Sequence, residues 1–98
     1  MKRLISIHET AEIEIIEAAD FYDLENPGLG NVFIDEIQRA IEIIAQFPEA
    51  GPLILGRVRK KALVKFPYSL FYSTRSNEFR LLAVAHQKRR PFYWSGRR

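Results

Sequence analysis

The periodicities along this chain predict an α+β fold: an N-terminal strand, then an αα-hairpin packed on one face of an antiparallel β-sheet, in the order β-α-α-β-β-β. Three observations carry that expectation. Two consecutive stretches space their apolar residues as helices do, and the second half changes to a period of two. Between them, Phe47-Pro48-Glu49-Ala50-Gly51-Pro52 breaks the chain with two prolines and a glycine. At 98 residues there is room for one hydrophobic core, so residues 1–98 are read as a single domain.

Leu4 to His8 is a short apolar run and reads as the first strand. A helix follows, with Thr10 as its expected N-cap and Glu12 and Glu14 near the positive end of its dipole. Ala11, Ile15, Ala18, Ala19 and Tyr22 make one buried stripe, and Asn26-Pro27-Gly28 ends it. The second helix spans about Leu29 to Gln46, where Phe33, Ile37, Ala40, Ile41, Ile44 and then Phe47 repeat the stripe while Asp35, Glu36, Arg39 and Glu42 face water. From Arg57 to Phe66 the chain alternates. One parity is mostly apolar (Val58, Lys60, Ala62, Val64, Phe66) and the other, apart from Leu63, cationic (Arg57, Arg59, Lys61, Leu63, Lys65). Tyr68 to Thr74 and Glu78 to His86 are strands joined by Arg75-Ser76-Asn77, short enough for an antiparallel hairpin. Strict alternation in the last strand puts Arg80, Leu82, Val84 and His86 on one side. With both helices on one face, the other face is left partly open, and the cationic parity is expected to point there.

Composition narrows the function classes. The hydrophobic fraction of 47% and charged fraction of 28% are those of a globular protein. The chain has no cysteine, which excludes disulfides and thiolate metal sites. No apolar run approaches the roughly 18 residues of a membrane span, and the apolar run after Met1-Lys2-Arg3 is too short for a secretory leader, so a cytoplasmic protein is expected. The carboxylates are spread over helix surfaces and the two histidines lie far apart, so neither a metal nor a cofactor is expected. Charge is strongly polarised. Residues 1–50 hold three basic against eleven acidic side chains, and residues 51–98 hold twelve basic against Glu78 alone. A basic side of that kind suits a polyanion or an acidic protein partner, unless the two halves neutralise one another across the fold.

The densest chemistry lies at the C-terminal end of the last strand, where His86, Lys88, Arg89, Arg90, Pro91, Tyr93 and Trp94 fall within nine residues. Cleavage of RNA by its own 2′-hydroxyl needs a base, cations on the phosphorane and an acid for the departing 5′-oxygen. His86 is the candidate base, Tyr93 the candidate acid and Arg89 the candidate cation at the scissile phosphate. Arg59, Lys61, Arg80 and Arg90 are candidate phosphate or RNA contacts, since guanidinium groups match phosphate oxygens bidentately. Plainer readings stand beside these. His86 can be a structural strand-end residue, the cations can dock an acidic peptide, and Trp94 and Phe92 can pin the tail to the core rather than stack on a base.

Four segments in this order resemble the RelE/ParE superfamily of bacterial toxins from type II toxin-antitoxin systems, which includes many plasmid stabilisation proteins. They are Ala11 to Tyr22, the Phe47 to Pro52 break, Phe66-Pro67-Tyr68-Ser69-Leu70-Phe71-Tyr72, and Leu82 to Trp94 with its His86-Gln87-Lys88-Arg89-Arg90-Pro91-Phe92-Tyr93-Trp94 run. The resemblance implies a small α+β toxin and a cognate antitoxin, acidic and partly disordered, that covers the basic sheet face in a toxin-antitoxin hetero-oligomer. It leaves two activities. RelE-like members are ribosome-associated mRNA interferases, that is endoribonucleases, and Arg59, Lys61, Arg80, His86, Arg89 and Tyr93 correspond by position to their basic and acid-base residues. ParE-like members poison DNA gyrase and lack that set. The presence of His86 and Tyr93 favours mRNA cleavage, with gyrase poisoning as the alternative. A plain interaction module without toxicity is the third class.

Overall fold

A computed structural model describes residues 4–98; the Met1–Arg3 segment weighed above as a leader lies outside them. Strand β1 (Leu4–Ile7) is followed by helices α1 (Glu9–Glu25) and α2 (Leu29–Gln46), and then by strands β2 (Leu53–Leu55), β3 (Val58–Ala62), β4 (Tyr68–Arg75) and β5 (Glu78–His86). The strands form one sheet in the order β1-β5-β4-β3-β2. The expected element order is present with one strand more, because β2 turns back on β3 through Gly56 in the left-handed region (φ 56°). The sheet is mixed rather than wholly antiparallel. β1 runs parallel to β5, from Leu4 opposite Glu78 to Ile7 opposite Leu81, while the helical hairpin carries the chain from β1 at one edge of the sheet to β2 at the other.

The helix that begins at Glu9 is capped by His8, not Thr10. The His8 Nδ1 accepts the Thr10 N–H at 3.1 Å, and the His8 carbonyl accepts from Glu12. The stripe of α1 is buried at Ala11, Ala18 and Ala19, whose small side chains let α2 approach closely. Gly30 sits at that approach. A Cβ there would lie 2.5 Å from the Ala19 carbonyl oxygen, and the Gly30 N–H is accepted at 2.7 Å by Asp23, which caps α2 from the neighbouring helix. Phe33, Ile37, Ala40 and Ile44 of α2 are buried as expected, but Phe47, read as the end of the same stripe, is 64% exposed because the helix has ended before it. Phe33 meets Phe66 edge to face at 5.2 Å and Tyr68 at 5.1 Å, which joins α2 to the sheet through aromatic contacts.

Two departures in the sheet decide where the functional side chains point. In β5, Tyr72 pairs with Leu81 and Phe71 with Ala83, so Leu82 is an extra, unopposed residue. This β-bulge breaks the alternation. Phe79 and Leu81 face the helices, and so do Val84 and His86 beyond the bulge, opposite Leu70 and Tyr68. His86 and Arg80 therefore lie on opposite sides, contrary to the strict alternation expected. In β3 the parities are also reversed. Arg59 pairs with the buried Tyr72 and Lys61 with the buried Leu70, so both cations share the helix-facing side, while Val58, Lys60 and Ala62 share the open side with Ser73, Phe71 and Ser69. The register is set by Tyr72, which donates its hydroxyl to the Pro48 carbonyl at 2.8 Å and accepts from the Gly51 N–H at 3.2 Å. The strand stops at Ala62. Val64 is 89% exposed, whereas Leu63 and Phe66 fold into the core.

Candidate functional site

The open face is not bare at the β5 end. The chain after His86 turns back across it and lays Trp94 on Phe71, with ring centroids 5.0 Å apart and planes 29° apart, so that Trp94 is only 2% exposed. Trp94 is thus the anchor of the tail. Phe92, at φ 60°, is half exposed beside it, a strained backbone position for a bulky residue. A concavity of about 220 Å³ lies against this turn, lined among others by His86, Arg89, Arg90, Tyr93, Trp94 and Lys60. The structure brings together four of the residues singled out in the sequence. It separates three: Arg59, whose guanidinium donates to the Gly51 carbonyl at 2.8 Å; Lys61 on the helix-facing side; and Arg80, which donates to Ser6 Oγ at 3.1 Å at the far end of the sheet. Lys60, assigned to the apolar parity by sequence, takes the open-face place expected for Arg59 and Lys61.

The hydrogen bonds show what each group is free to do. His86 Nδ1 accepts the Lys88 backbone N–H at 3.1 Å, and the imidazole packs edge-on against Tyr68 at 5.2 Å. Accepting that N–H uses the lone pair of Nδ1. Arg89 lies over the Tyr93 ring, its guanidinium carbon 4.0 Å from the centroid. The Tyr93 hydroxyl donates to Glu14 Oε2 at 2.6 Å. Burial first, and then that hydrogen bond to a carboxylate, push the phenol well above its ordinary pKa of 10.0.

Glu14 is the hub that sequence reasoning missed. Its carboxylate accepts from Tyr93, from both terminal nitrogens of Arg97 at 2.9 and 3.0 Å, and from the Val84 backbone N–H at 3.0 Å. Arg97 also donates to the Leu82 carbonyl at 3.0 Å. β1 accompanies β5 only as far as Leu81, and the Glu14–Arg97 pair satisfies backbone groups on the stretch beyond. The bidentate contact holds Arg97 charged. The sequence did contain a signal: Glu14 falls between Ala11 and Ala18 on the apolar stripe of α1, where a carboxylate needs a partner.

The description "ParE toxin of type II toxin-antitoxin system, parDE" belongs to a family model that matches residues 5–91. No protein of curated function matches the chain in sequence. Among solved structures, a chain of the chromosomal ParDE toxin-antitoxin system from P. aeruginosa is similar, with a TM-score of 0.76 at 17% identity over 87% of this chain and 96% of that one. The likeness extends from Ile5 through the strand-hairpin-sheet order to Pro91, and the chain accordingly belongs to the family of ParE toxins of type II toxin-antitoxin systems.

Proposed function

We propose that this toxin arrests growth by poisoning DNA gyrase rather than by cutting mRNA on the ribosome, and that a cognate antitoxin neutralises it. The observation that carries the choice is the state of the two acid-base groups. RNA cleavage asks His86 to accept a proton and Tyr93 to give one. The lone pair of His86 is occupied by the Lys88 N–H, and the proton of Tyr93 is donated to Glu14 in a setting that raises its pKa. The RNA contacts the mechanism would call on are divided as well, with Arg59 and Lys61 on the helix side and Arg80 at the other end of the sheet. Membership of the ParE branch supports the same reading, as does the antitoxin named with the similar structure. Here His86, Arg89, Arg90 and Tyr93 form a recognition surface around the Trp94 turn and not a catalytic set.

Purified toxin added to gyrase should inhibit supercoiling and accumulate cleaved DNA, and should produce no new 5′ ends on ribosome-bound mRNA. His86→Ala should remain toxic. New mRNA ends that vanish in His86→Ala and Tyr93→Phe, with gyrase indifferent at saturating protein, would overturn the proposal. Co-expression of a cognate antitoxin should restore growth, and the antitoxin should co-purify with the toxin.

A further inference from the structure

The open face has a second concavity, at the end of the sheet away from Trp94. A groove of about 370 Å³ is rimmed by Arg57, Arg75, Arg80, Arg97 and Arg98, with Glu78 its single acidic side chain. These guanidinium groups are not equally available. Arg97 is committed to Glu14 and the Leu82 carbonyl, and Arg80 gives one N–H to Ser6. Arg57, Arg75 and Arg98 make no side-chain hydrogen bond or ion pair with another described residue. The floor between the rims offers the hydroxyl of Ser73, which shares the open face with Arg80.

We propose that this groove binds the phosphodiester backbone of duplex DNA without reading its sequence. Unpaired arginines around the Ser73 hydroxyl supply the charge-assisted forks and a neutral donor that phosphate oxygens take. The lining contains no aromatic side chain, so it has nothing for an unstacked base to lie on, which argues against a single strand. Its apolar content is Val58 and Leu82 alone, so an acidic protein segment would find no pocket for the aromatic or aliphatic anchors that dominate protein interfaces. The inference rests on the open-face geometry and not on the choice of gyrase as target, and it is tested on the free protein.

A labelled duplex of about 20 base pairs, titrated with toxin by fluorescence anisotropy, should bind with a dissociation constant on the order of 1–100 µM near physiological salt. Three free cations and the partly free Arg80 predict a slope of log K against log salt of about −3 to −4. Arg57→Gln/Arg75→Gln/Arg98→Gln should weaken binding at least about tenfold and reduce the slope by ~2.7. Arg39→Gln/Lys65→Gln/Lys88→Gln removes the same charge elsewhere and should change the slope by less than ~1. Should the first triple variant melt early, Arg75→Gln alone should still reduce the slope by ~0.9. Absence of duplex binding, equal losses in the two triple variants, or a polyglutamate peptide that needs these arginines while duplex DNA does not bind, each overturns the proposal. The gyrase assay with the same variants reads the target separately.

Discussion

Glu14→Ala removes the acceptor that four hydrogen bonds share, and its cost can be worked from the partners it strands. The carboxylate and the Arg97 guanidinium are only 11% and 15% exposed, so they are far from the surface ion pairs worth ~0.2–1 kcal/mol. Breaking a buried pair from one side costs about 3–5 kcal/mol when the remaining charge cannot escape. The Arg97 side chain keeps some exposure and can turn toward water once freed, which discounts that figure to roughly 2 kcal/mol. The Val84 N–H belongs to a central strand and cannot move away, so its lost partner adds about 1 kcal/mol. With the Tyr93 hydroxyl left out of the sum, a loss of about 3 kcal/mol or more corresponds to a fall in Tm of roughly 12–24 °C or more for a domain of this size. Urea and thermal unfolding of Glu14→Ala, Arg97→Ala and the double variant measure it, with a coupling energy of about 1–2 kcal/mol expected between the two sites. A loss below ~1 kcal/mol, or strict additivity, would refute the reasoning, because the cluster would then be screened like any surface pair.

Tyr93→Phe should cost about 1.5–3 kcal/mol, the range for a hydrogen bond to a charged group, with little change in the far-ultraviolet spectrum. Because the folded phenol titrates above its unfolded value of 10.0, that contribution is complete below pH 10 and is lost as the pH rises further; unfolding of wild type and Tyr93→Phe should converge there. Gly30→Ala drives a methyl into the Ala19 carbonyl and should destabilise the helical hairpin by about 1–3 kcal/mol, read by urea unfolding. Trp94→Ala removes the stacked lid from Phe71 and should cost about 3–5 kcal/mol, with Phe71 becoming accessible and fluorescence from the single tryptophan lost.

Element order and the helix stripes were legible in the sequence because periodicity reports burial directly. Ala11, Ala18, Ala19, Phe33, Ile37, Ala40 and Ile44 are where the spacing puts them. Side-chain direction in the sheet was not. A run in which Arg59, Lys60 and Lys61 are adjacent carries almost no alternation, so its face is chosen by the partner strand, where Tyr72 is fixed by the Pro48–Gly51 loop. The bulge at Leu82 leaves no mark in an apolar run such as Leu81-Leu82-Ala83-Val84-Ala85, although it decides the side on which His86 emerges. The parallel pairing of β1 was hidden for another reason: a four-residue strand has no pattern that distinguishes direction. Within the candidate site, local clustering found His86, Arg89, Arg90 and Tyr93 together, but nothing local could connect Glu14 to Arg97.

That last contact joins two residues 83 positions apart in the chain. During synthesis the flank of β5 beyond β1 keeps its Leu82 carbonyl without the Arg97 guanidinium until residue 97 has emerged from the ribosome, long after both helices can form. A nascent chain therefore carries a bare carbonyl on a strand border that the folded molecule has covered, and Arg97→Ala would leave it bare permanently.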